Sequence, residues 1–88
     1  MRPLICHYTA RTRKGQEAFT KISVEMAPER ELARKGRTTA GLLMGIIQEG
    51  MDKGLPHWAT AKGAEIDATA IDQSTIQILL IEGLDTPA

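Results

Sequence analysis

The amino-acid sequence predicts an α+β domain in which one main helix packs on a mostly antiparallel sheet of three to four strands, in the order β-β-α-β-β. Three observations predict it. Ala18 to Met26 alternate between two sets of side chains with the period of a half-buried strand. From Ala40 to Met51, Leu, Met and Ile recur at three- and four-residue spacing, the period of an amphipathic helix. Thr75 to Ile81 form an apolar run bounded by Asp72-Gln-Ser74 and Gly83, which reads as a strand.

The elements follow in order along the chain. Leu4 to Arg13 reads as a first strand, because Cys6, Tyr8 and Thr9 favour extended backbone and the Arg-Lys-Gly-Gln that follows is turn chemistry. Gly15 supplies the positive φ of a tight turn. In the second strand Ala18, Thr20, Ile22, Val24 and Met26 share one face, and Phe19, Lys21, Ser23 and Glu25 the other. A connection of about four residues makes the pair an antiparallel hairpin with Arg11, Arg13 and Lys14 near its tip. Pro28 ends it. Ala27 to Gly36 predicts one or two helical turns or a structured loop, with Pro28, Glu29 and Glu31 as a start and Gly36 as a stop.

Thr38 or Thr39 is placed to cap the main helix, whose apolar stripe is Ala40, Leu43, Met44, Ile47 and Met51, widened by Leu42 and Ile46. The helix should run to about Lys53, stopped by Gly54 and Pro56. Gly41, Gly45 and Gly50 each cost it about 0.5 to 1 kcal/mol relative to Ala. Close packing against the hairpin is the expected compensation, and a self-association seam the alternative. Residues 57–71 are weakly extended and carry few large side chains. Apolar residues on both faces from Ile78 to Ile81 place the last strand centrally in the sheet. Asp85 to Ala88 form a short tail.

Composition sets further bounds. Residues 1–88 are too few for more than one core, so a single domain is expected. Only Tyr8, Phe19 and Trp58 are aromatic, which leaves the core to aliphatic side chains and makes stability modest. Homodimerisation, or docking on a partner, would supplement it. A lone cysteine, Cys6, excludes an internal disulfide, no apolar run approaches a membrane span and no signal peptide is recognisable, so a cytoplasmic, soluble protein is expected. Net charge is zero but unevenly spread: residues 1–37 hold nine basic and four acidic side chains, residues 38–88 two and seven. Such asymmetry suggests an electrostatic partner, unless folding interleaves the halves.

No catalytic or metal-binding constellation emerges, and no cofactor is implied. Cys6 and His7 are neighbours on a strand, so their side chains point to opposite faces and cannot form a nucleophile–base pair. The two histidines, His7 and His57, have no cysteine or carboxylate at metal-ligand spacing. Gly36-Arg-Thr-Thr-Ala-Gly41 has the glycine spacing of a phosphate loop, but Leu42 and Leu43 occupy the lysine and hydroxyl positions. An anion contact near Lys35 and Arg37, or simple threonine capping, are the readings left. Glu65, Asp67 and Asp72 read as a solvated face, with Glu65 and Asp67 on one side of a strand. Trp58 is either a core lid or a partner anchor.

Partner-binding candidates are therefore Arg11, Arg13, Lys14, Lys35, Arg37, Trp58, Glu65 and Asp67. A nucleic-acid partner would use the basic hairpin with Tyr8 as a stacking ring, although a pI near 6.7 is low for such a protein. A basic hairpin, then one Ala/Gly/Met-rich helix, then an apolar final strand within ninety residues resembles several small phage-encoded inhibitor proteins, including some anti-CRISPR proteins. That resemblance implies a non-enzymatic protein that occupies a surface on another protein or complex. It carries no functional residues with it.

Overall fold

The computed structural model describes residues 2–83, and the short tail expected at Asp85 to Ala88 lies outside them. Strands β1 (Arg2–Thr12) and β2 (Glu17–Met26) pair antiparallel in unbroken register from Arg2 opposite Met26 to Arg11 opposite Glu17. Gly15 turns the chain between them at φ 85°. Alternation then sorts the side chains. Leu4, Cys6, Tyr8, Ala10, Thr12, Ala18, Thr20 and Met26 are buried on one face, whereas the other face carries His7, Thr9, Phe19 and Lys21.

The chain leaves β2 through Pro28 into a short helix α1 (Glu29–Arg34), which buries Leu32, and turns at Gly36 with φ 69°. Arg2 holds this crossover in place by donating to the Ala27 carbonyl from Nη2 (2.9 Å) and to Thr39 Oγ1 (3.3 Å). Helix α2 (Thr39–Asp52) begins where the Thr38 hydroxyl accepts from the Gly41 N–H at 3.0 Å, and it ends at Lys53 and Gly54, the latter at φ 68°. Its buried stripe is Leu43, Ile47 and Met51. Tyr8 ties the helix to the sheet by donating its hydroxyl to the Leu43 carbonyl at 2.8 Å.

Close packing against the hairpin does not account for the helix glycines. Gly41 and Gly45 lie on the exposed face of α2, and a Cβ at Gly45 would meet no atom within 4 Å. A Cβ at Gly41 would come within 2.9 Å of the capping Thr38 Oγ1, and one at Gly50 would meet the Pro56 ring at 3.6 Å.

Beyond α2 the chain adds more strands than expected. Two-residue strands β3 (Trp58–Ala59) and β4 (Glu65–Ile66) form a small hairpin turned at Gly63, and a 3-10 turn at Ala68–Ala70 leads into the long β5 (Ile71–Gly83). The result is a five-stranded sheet in the order β4-β3-β2-β1-β5, in place of three to four strands in the order β-β-α-β-β, with one main helix and the short α1 before it. Asp67 lies just past β4 and not on a strand face shared with Glu65.

The last strand is also not central. Among the described residues it pairs antiparallel with β1 only and forms one end of the sheet. Its apolar run imitates a two-faced strand because the register slips: His7 lies opposite Leu80 and Tyr8 opposite Ile78, which leaves Leu79 as an extra residue. A second irregularity, between Thr9 and Arg11, is closed by Thr75, whose hydroxyl accepts from the Arg11 N–H at 2.8 Å and donates to the Asp72 carbonyl at 2.7 Å.

Candidate functional site

One concavity follows from how β2 is flanked. On its outer side β2 pairs with β3 at one position, Phe19 with Ala59, and Thr20 Oγ1 donates to the His57 carbonyl at 2.6 Å. From Lys21 to Glu25 that side of the strand has no partner strand among the described residues. Alternate N–H and C=O groups of this stretch therefore point to solvent. Facing them is the C-terminal half of α2 and the turn that leaves it.

Together they bound a groove of about 440 Å³. Its floor is apolar, formed by Ile22, Val24, Ile47 and Pro56, with Ile46 and Leu55 on its sides. Ile46 is 39% and Leu55 66% exposed, large apolar side chains that the fold itself leaves wet. Lys21, Glu49, Lys53 and His57 make the rim. Lys53 is linked to Glu49 at 3.2 Å, an exposed pair worth little by itself. Such an arrangement, an unpaired strand edge beside an apolar trough, has the parts needed to accept a strand from another chain.

The residues singled out from the sequence do not converge. Arg11 lies opposite Asp72 across β1 and β5, and Arg13 donates to the Thr69 carbonyl at 2.7 Å, so two of the three hairpin cations face the C-terminal half of the same chain. Lys14 is exposed in the turn. Lys35 ends α1, and Arg37 lines a separate hollow with Arg2 at the start of β1, nine residues and about 30 Å along the strand from Arg11. Tyr8, the proposed stacking ring, is buried under α2.

Trp58 is core. It is 1% exposed and its indole N–H points to Met51 Sδ at 3.1 Å. Glu65 is exposed on β4. The Asp67 carboxylate caps the 3-10 turn by accepting from the Thr69 N–H and hydroxyl, each at 2.9 Å, and these bonds hold its carboxyl below the usual carboxylate range. Asp72 is lowered in the same way, first by the Ser74 hydroxyl and then by the Ser74 N–H, with Arg13 nearby.

Cys6 and His7 do point to opposite faces. Cys6 is fully buried, and burial pushes its thiol up against a smaller lowering from the Tyr8 hydroxyl. His7 stands on the open face of the sheet, paired with Glu82. There it lines a shallow hollow with Phe19, Thr20, Lys21 and His57, a meeting of the two histidines that their separation in sequence conceals. Among the described residues no three His, Cys, Asp or Glu side chains are grouped to hold a metal ion. No helix among them is long and apolar enough to cross a membrane.

No family model, curated protein or solved structure matches this chain.

Proposed function

We propose that this chain is a small, non-enzymatic protein-binding module that takes up an extended segment of its partner along Lys21–Glu25 of β2. The observation that carries the reading is the apolar groove lying directly beside an unpaired strand edge. Main-chain hydrogen bonds to β2 would supply affinity, and alternate side chains of the added strand, entering between Ile22, Val24, Ile46 and Leu55, would supply selectivity. The preferred segment is extended and apolar at every second position.

Occupying a partner in this way is how a small inhibitor works, and the proposal includes that role: a phage or mobile-element protein of the anti-CRISPR kind that blocks a surface on a larger complex. A nucleic-acid partner is the less favoured reading, because the cations it needs are split between two ends of the molecule and partly faced by Asp72.

Selection from a library of random eight-residue peptides tests the reading. Binders should converge on alternating apolar residues, and Leu55→Glu combined with Ile46→Glu, both at exposed positions, should weaken them by tenfold or more while leaving the circular-dichroism spectrum unchanged. Binders that are indifferent to both substitutions would contradict it. So would tighter binding of short oligonucleotides whose affinity falls steeply with added salt.

A further inference from the structure

The sheet has a second open side, the outer edge of β5, and it differs in chemistry from the first. Because β5 ends the sheet, half of its N–H and C=O groups turn away from β1 and find no strand partner among the described residues. Exposed edges of this length are ordinarily blunted by Lys, Pro, inward-pointing charge or bulges, and of these β5 carries only the irregularities at Leu79 and before Gln77. The opposite end of the sheet obeys that rule: β4 has two residues, with Glu65 exposed and Lys62 in the turn before it. By contrast, Gln73 to Ile81 contain neither a charge nor a proline, and Leu79 and Leu80 are 60% and 53% exposed.

We infer that two copies of this chain pair through β5, antiparallel about a two-fold axis, to make one continuous ten-stranded sheet. The occupant is a second copy because this edge is its own complement. In a two-fold antiparallel pair the uncharged segment faces itself, so no like charges oppose one another along it. Charge also selects the register. Centring the pair on Gln77 would set Asp72 against Glu82, whereas centring it near Leu79 and Leu80 places Glu82 opposite neutral residues and brings the exposed leucines together.

Area sets the class of interface. A standard stable interface buries about 800 Å² per partner, roughly an eighth of the 6106 Å² that this chain exposes. A strand pair of about six residues, with the irregularity at Leu79 near its centre, falls at or below the low end of that scale and gives a weak, reversible dimer. Pairing through β5 leaves the groove beside β2 open on both copies, so the inference is independent of the function proposed above.

Sedimentation equilibrium over a concentration series tests it directly. The wild-type mass should rise from 9.6 kDa towards twice that value between low micromolar and millimolar protein. Leu79→Lys with Leu80→Lys should remain monomeric. Hydrogen exchange on the wild type provides a readout that needs no variant: amides of residues 77–82 should slow as concentration rises. A chain that stays monomeric to millimolar concentration would overturn the inference, as would a dimer whose β5 amides exchange at the monomer's rate or one that survives the double substitution.

Discussion

Trp58 carries more of the core than its place in a two-residue strand suggests. It is the largest fully buried side chain, and its ring lies under the last turn of α2 beside Met51. Truncating such a residue costs about 3 to 5 kcal/mol, a large share of the roughly 5 to 15 kcal/mol available to a small domain. Trp58→Ala should therefore lower the urea midpoint severely or leave the chain unfolded, whereas Trp58→Phe should keep it folded with a smaller loss. An Ala variant within about 0.5 kcal/mol of wild type would show that the ring is not the core element described. Gly45 behaves oppositely. With nothing near the position of its missing Cβ and an exposed site within α2, Gly45→Ala should stabilise by about 0.5 to 1 kcal/mol, read as a higher thermal midpoint. Nothing in the fold requires glycine there.

At the scale of elements, what could be read from the sequence depended on whether an element carries its own period. The alternation from Ala18 to Met26 and the stripe of Leu43, Ile47 and Met51 both repeat often enough to announce themselves, and Thr38 and Gly54 mark the helix ends by their own chemistry. Two-residue strands have no period. Trp58–Ala59 and Glu65–Ile66 are held by the burial of Trp58 and Ile66 and by cross-strand pairing, tertiary facts that no local pattern encodes. Leu79 misled for a related reason, since a single extra residue in β5 shifts the apolar phase and imitates a strand covered on both faces. The groove was hidden because it forms only when the turn through Leu55 and Pro56 carries the end of α2 past the open edge of β2. Ile46 is the hint the sequence offers, an apolar residue that widens the helix stripe yet stays 39% exposed.

Across the whole molecule, the opposite charges of the two halves meet within the chain. β1 and β5 set Arg11 opposite Asp72, with Arg13 also near that carboxylate, so part of the uneven charge is paired across the two halves. Part of the acidic half also stabilises the fold locally. Asp67 and Asp72 have native pKa values below their unfolded ones, so their stabilisation is complete above about pH 4, near the unfolded value, and is lost as pH falls through the native pKa values. The difference in thermal midpoint between wild type and Asp67→Asn with Asp72→Asn should be present at pH 7 and shrink below about pH 4. A difference that stays constant down to pH 2 would remove ionisation from the explanation.

The proposed function depends at this scale on one geometric fact, the side of β2 that is unpaired among the described residues, beside an apolar trough. Residue-resolved hydrogen exchange of the chain saturated with a library-selected peptide measures it most directly. Outward-facing amides between Lys21 and Glu25 should become protected while those of the Arg13–Gln16 turn do not change. Saturation with a bound peptide that leaves Lys21–Glu25 exchanging as in the free chain would contradict it.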